Sequence, residues 1–260
     1  MTESILNISD DFWNFRGSYK IGGVLDVGTH CSLVRRNSGK WVMLDSYSLG
    51  RRARGQVAEL TDDGNDIEAI LNVHPFHTVH VERMHELYPS AALYGTARHH
   101  ARFPDLPWKK ARTEDDELHE KYSADLEFSV PRGVDFIPED ENLHFSSVMV
   151  FHPASRTLHV DDTLNYLRLP SLMRAVGLGD SVAFHPTLAK VLEQRAGAAQ
   201  EFKEWAQDLV ERWQTAENLC AAHTAALLAR DNAGASLHER WKKALDKVES
   251  TLEAHQKKYG

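Results

Sequence analysis

A seven-residue run, Ile67–Val73 (Ile-Glu-Ala-Ile-Leu-Asn-Val), passes without a break into a loop that carries His74, His77 and His80. The run has the length and composition of a buried strand. Val81–Tyr88 then has helical spacing and stops before Pro89, and Ala91–Tyr94 reads as a second short strand closed by Gly95 and Thr96. Strand, histidine-rich loop, helix and strand in that order form a βαβ unit, which commits the chain to the α/β class. In α/β folds ligands bind beyond the carboxyl ends of strands, and the histidine loop occupies that place.

The flanking segments extend the pattern. Gly22–Asp26 reads as a short strand. Cys31–Arg35 and Trp41–Asp45 flank the turn signal Asn37-Ser38-Gly39-Lys40 and are expected to pair as a hairpin. Gln56–Leu60 has helical spacing and stops near Gly64. Residues 97–125 are polar and read as a surface excursion with a short helix, His99 and His100 being solvated beside Arg98 and Arg102. Asp125–Val130, Val134–Ile137, Ser146–Phe151 and Thr157–Val160 look like further strands. After Pro170 the chain reads as mostly helical, with clear helical spacing over Ala198–Trp213 and Leu237–His255. No internal repeat or low-complexity linker appears, so a single domain over 1–260 is expected, with a core over about 20–226 and a helical extension over 227–260.

Composition limits the function classes. The 260 residues carry a formal net charge of −8, which lacks the footprint of a general nucleic-acid binder. The N-terminus has no basic segment leading into an apolar run, and no stretch approaches the ~20 apolar residues that cross a bilayer, so a cytoplasmic location is expected. Cys31 and Cys220 form no Cys-x-x-Cys pair, which argues for reduced thiols and against a thiolate zinc site. Histidine is the unusual residue, with 15 copies.

Several histidines and aspartates stand where apolar strands end. His74 and His77 follow the Ile67 strand, His144 precedes the Ser146 strand, Asp161 and Asp162 follow the Thr157 strand, and His223 follows Leu219-Cys220-Ala221-Ala222. Imidazole and carboxylate together suit zinc, iron or manganese. Asp161 and Asp162 are also placed to cap the next segment, Thr163–Leu167.

Here the sequence resembles the metallo-β-lactamase-fold hydrolases, over Gly22–Ala226. Members carry a strand followed by His-x-His-x-Asp-His, then a helix. Laid over Leu71–His77 without a gap, the pattern puts its second and last histidines on His74 and His77, its first on Asn72 and its Asp on Phe76, so this chain reads Asn-x-His-x-Phe-His. The family's next histidine falls on His144. Its bridging Asp falls on Asp162 in Thr157–Leu164, and its final histidine on His223, with His185 as the runner-up. Asp45 resembles a family Asp with a structural role.

The resemblance implies an αββα sandwich of two mixed β-sheets flanked by helices, with a helical C-terminal region. It implies metal ligands at His74, His77, His144, Asp162 and His223, and water activation by Asp162 or Asp161. His80, His152, His159 and His185 are candidates to hydrogen-bond and orient those ligands. Asn72 offers at most a weak oxygen ligand, and Phe76 removes an anionic one. One divalent ion, zinc ahead of iron or manganese, or none, is therefore expected rather than two. The implied chemistry is hydrolysis of an ester, thioester, lactone or phosphoester in a small-molecule substrate. A non-catalytic ligand- or partner-binding relative is the alternative, and an iron-dependent oxidoreductase a more distant one. A homodimer is compatible with the sequence.

Overall fold

The computed structural model describes residues 3–21, 25–168, 179–223, 225–232 and 234–260. The chain divides into two compact units, the first comprising 1–128 with 152–155 and the second 129–151 with 156–260.

The first unit is built on a six-stranded mixed sheet. Its elements are β1 (Ser4–Ser9), β2 (Phe12–Gly17), the small hairpin β3 (Lys20–Ile21) and β4 (Leu25–Asp26), β5 (Thr29–Arg35), β6 (Trp41–Leu44), α1 (Arg51–Leu60), β7 (Ile67–Leu71), α2 (Val81–Leu87), β8 (Ala92–Tyr94), α3 (Ala97–Arg102) and α4 (Asp116–Tyr122). The sheet runs β1-β2-β5-β6-β7-β8. The expected β5–β6 hairpin is present, with Leu33 opposite Met43, and β6, β7 and β8 are parallel. Phe15, Cys31, Leu33, Met43, Val57, Ile70 and Met84 are fully buried in one core cluster of this unit. Gly22–Val24 of the expected early strand lie outside the described residues.

A second, five-stranded sheet runs in the order β15-β14-β11-β10-β9, and β12 and β13 form a separate pair. The strands are β9 (Glu127–Ser129), β10 (Met149–His152), β11 (Thr157–Val160), β12 (Leu164–Leu167), β13 (Ser181–Phe184), β14 (Asn218–Ala221) and β15 (Ala226–Leu227). The helices are α5 (Leu188–Val191), α6 (Ala198–Arg212) and α7 (Leu237–Tyr259). Ser236 opens α7 with a capping box: its hydroxyl accepts from Glu239 N, and the Glu239 carboxylate accepts from Ser236 N. An aromatic chain fills the core, with Trp213 5.6 Å from Phe151 and 6.4 Å from Trp241 between ring centroids.

One expectation needs correction. Val134–Ile137 is not a strand: Val134 makes one isolated bridge to Leu192, and Ile137 is solvent-exposed. After Pro170 helix prevails among the described residues, as expected, with the short strands β13, β14 and β15 between. Residues 169–178 lie outside the described residues. Among those described, no helix is long and apolar enough to cross a membrane.

Candidate metal centre

In the first unit β7 ends at Leu71, and His74 and His77 lie in the loop beyond its carboxyl end. Asp45, just past β6, holds that loop. It adopts φ 60°, a left-handed conformation in which an Asp is tolerated better than most residues, and its Oδ1 accepts the N–H of Val73 at 2.9 Å. Its Oδ2 lies 3.9 Å from Nδ1 of His77. The ring of His74 is fully buried and stacks on His77, with centroids 4.1 Å apart and planes 22° apart. His74 Nδ1 accepts the N–H of Phe76 at 3.1 Å, so in the neutral ring the proton sits on Nε2.

The two altered motif positions have work of their own. Asn72 is fully buried, its Oδ1 accepting from Ser46 Oγ at 2.6 Å and its Nδ2 donating to the carbonyl of Tyr94 at 3.0 Å. Both ends of the amide thus tie β7 to its neighbours, and it is not held out as a ligand. Phe76 lies 6.1 Å from the His74 ring and packs beneath Arg98, whose guanidinium carbon stands 4.5 Å from the Phe76 centroid.

Three further histidines of this unit have hydrogen-bond partners within it. His80 occupies the N-cap position of α2 without a capping bond from its side chain; its Nδ1 meets Ser48 Oγ at 2.9 Å and its ring stands edge-on to Tyr47. Burial, then the nearby His77, pushes its pKa down. His152 ends β10, with Nδ1 2.8 Å from Ser155 Oγ. His99 is not solvated, as expected from its charged neighbours, but fully buried. Its Nδ1 accepts the N–H of Thr96 at 3.1 Å, and its Nε2 faces the carbonyl of His77 at 3.4 Å. Burial pushes its pKa down to about 4.

That arrangement predicts a pH dependence. In the unfolded chain His99 takes up a proton near its ordinary pKa of ~6.5, whereas in the folded chain a proton on Nδ1 would point at the Thr96 N–H. The contribution of neutral His99 is therefore complete above pH ~6.5 and is lost as the pH falls towards 4, by roughly 3 kcal/mol in total. Melting curves from pH 7.5 to 4.5 should show a decline that is shallower in His99→Gln. An equal decline in both proteins would remove His99 as its source.

The second unit brings three of the expected residues together. β11 and β14 are parallel, with Val160 opposite Ala221, and continuing that register by two residues sets Asp162 beside His223. His223 Nε2 lies 2.9 Å from Asp162 Oδ1, and His144 Nδ1 lies 3.7 Å from Asp162 Oδ2. The Asp162 side chain is almost completely buried, whereas His144 and His223 are partly exposed. Thr163 fastens the His144 loop in place: its hydroxyl donates to the carbonyl of Phe145 at 2.8 Å and accepts the N–H of Ser147 at 2.9 Å.

The tautomer of His144 follows from its other contact. Its Nε2 lies 2.9 Å from the carbonyl of Glu141, which can only accept, so in the neutral ring Nε2 carries the proton and Nδ1 the lone pair. A neutral His144 then turns a lone pair toward a carboxylate oxygen at 3.7 Å, which either a proton on Nδ1 or a metal cation relieves. Two imidazoles and one carboxylate form a donor set of the kind used for catalytic zinc or non-haem iron. By donor chemistry the residues fit a divalent metal. Asp161 is buried beside Asp162, and His159 is buried within β11 opposite Cys220.

The fold itself is found among solved structures. A metallo-β-lactamase from Pontibacter korlensis aligns over 97% of this chain and 99% of its own, with a TM-score of 0.56 and 12% identity. One from Erythrobacter litoralis, with beta-mercaptoethanol in its active site, aligns over 94% and 96%, with a TM-score of 0.59 and 13% identity. FIM-1 from Pseudomonas aeruginosa, in a mono-zinc form, aligns over 95% and 96%, with a TM-score of 0.54 and 12% identity. The chain has the metallo-β-lactamase fold. No family model matches the sequence, and no curated protein matches it.

Proposed function

We propose that the chain is a mononuclear metallohydrolase acting on an ester, thioester, lactone or phosphoester of a small molecule. The observation that supports it most is the approach of two imidazoles, His144 and His223, to the two oxygens of the buried Asp162 carboxylate. His144, Asp162 and His223 would hold the ion. A bound divalent ion supplies Lewis acidity and lowers the pKa of water toward neutrality. Asp161 would then orient a water or hold its proton. Zinc suits this donor set best, with iron or manganese as the other candidates.

The test is hydrolysis by zinc-loaded protein of a p-nitrophenyl ester, an acyl thioester, a lactone and a bis-p-nitrophenyl phosphate. Turnover of at least one, abolished by chelation and restored by the metal, is expected. No turnover by protein that holds its metal would favour a ligand-binding role.

The altered motif adds a prediction about stoichiometry. Phe76→Asp supplies the anionic donor that the resemblance finds missing, and leaves the Asn72 hydrogen bonds intact. Bound metal should rise from one per chain towards two. An unchanged count in a folded variant would show that Phe76 does not limit the stoichiometry; pairing of the new carboxylate with Arg98 would be one cause, removed in Phe76→Asp/Arg98→Ala.

A further inference from the structure

The segment that carries His144 is held by a side chain where a strand would ordinarily be held by another strand. Residues 143–148 belong to no strand, and β10 begins only at Met149. Thr163 is fully buried, and its hydroxyl meets that segment at two backbone groups two residues apart. It donates to the carbonyl of Phe145 at 2.8 Å and accepts the N–H of Ser147 at 2.9 Å. The Ser147 hydroxyl lies 3.0 Å from the same oxygen. Since the Thr163 proton goes to a carbonyl, which can only accept, the Ser147 hydroxyl is the donor in that contact. A threonine hydroxyl has one donor and two acceptor positions, and here all three are used.

Thr163 is also the residue after Asp162. Its own backbone is set by the β12–β13 pair: Leu164 stands opposite Phe184, and the His185 N–H donates to the Thr163 carbonyl at 3.4 Å. The His185 ring turns to Thr187, with Nδ1 2.7 Å from Thr187 Oγ1. From Asp162 to His144 the path is therefore one peptide bond, one hydroxyl and one more peptide bond. Phe145 anchors the far side, its buried ring 5.9 Å from that of Phe202. The His144 side chain itself is 40% exposed, so its own packing does little to fix it. The order it has comes from the backbone that Thr163 grips.

We propose that Thr163 is a positioning residue of the metal site, its hydroxyl holding the backbone of His144 where this imidazole and the Asp162 carboxylate can share one ion. The proposal rests on the reading of His144 and Asp162 as ligands. Thr163 supplies no ligand atom and acts through the backbone. Contacts of this outer kind pre-order the ligands of a metal site, and losing one lowers metal affinity by roughly 10–100-fold.

The experiment is a cobalt(II) titration of chelator-stripped full-length protein, at a temperature well below melting, with competition against a chromophoric chelator and the visible d–d spectrum. Wild type should bind one cobalt ion. Thr163→Val puts a methyl where the hydroxyl stands, and should weaken binding by roughly 10–100-fold and shift the d–d bands. Thr163→Ser keeps the hydroxyl, and should recover most of the affinity and the wild-type bands. A threonine needed only for stability would give a Thr163→Val protein that melts lower but keeps the affinity and spectrum while folded, and that result overturns the proposal. A Thr163→Ser protein as weak as Thr163→Val overturns it too, since the hydroxyl is then not the cause. If Thr163→Val does not fold, amide exchange of the wild-type apoprotein decides. The Ser147 N–H should be protected like the amides of β11, and rapid exchange at Ser147 overturns the proposal. Absence of cobalt binding by wild type overturns the metal reading and this proposal with it, whereas unchanged binding in folded Thr163→Val overturns this proposal alone.

Discussion

Asp162→Ala is expected to lower the affinity for zinc by well over ~100-fold, the upper range for losing an outer contact of a metal site. Asp162 supplies the carboxylate that both His144 and His223 approach, and its two oxygens face different imidazoles. Without it, neutral imidazoles alone would have to compensate the charge of a dication in a nearly buried position. Asp162→Asn separates charge from shape, since the amide has the size of the carboxylate but no charge, and it should lose most of the same affinity. Isothermal titration of apoprotein gives the number directly. The apoprotein should keep its circular dichroism spectrum, because the β11–β14 register that positions Asp162 is set by backbone pairing. Unchanged zinc affinity in Asp162→Ala would place the metal elsewhere.

Asn72→Ala should cost about 2–4 kcal/mol of stability, since it strands a buried hydroxyl, removes a second donor from a buried carbonyl and opens a cavity. The hydroxyl of Ser46 loses its acceptor, and the carbonyl of Tyr94 keeps only the Asn72 backbone N–H. For a chain of this size the loss corresponds to a melting-point drop on the order of 10 °C. The measurement distinguishes two roles for this position. A residue kept as a weak metal ligand would lower metal affinity on removal and leave apoprotein stability nearly unchanged; a residue kept to lock β7 to β8 would do the reverse. Denaturant unfolding of the apoprotein, with and without the substitution, decides between them.

The parts of the fold legible in the sequence were those with a clear period or a clear boundary. Ile67–Val73 announced β7 because an apolar run met a polar loop at one residue, and α2 and α6 carried helical spacing over several turns. β13 was not visible as a strand, because a four-residue segment such as Ser181–Phe184 is too short for a period. Val134–Ile137 had strand composition but no partner strand. His144, Asp162 and His223 were legible as candidates from the order of strand-end residues, and the β11–β14 register with the Thr163 hydrogen bonds supplies the reason they meet. The role of Asn72 could not be read, since a motif records which residue is replaced and not which hydrogen bonds the replacement makes. His99 misled for the opposite reason: Arg98, His100 and Arg102 imply solvent, yet the first turn of α3 faces inward at His99.

The most direct test of the account is the metal content of the purified wild-type protein, measured by elemental analysis after expression with zinc, iron and manganese supplied, beside the Asp162→Ala variant. The account predicts close to one divalent ion per wild-type chain and almost none in the variant. Wild-type protein that is folded and carries none of these metals in stoichiometric amount, or a variant that retains the full complement, would contradict it.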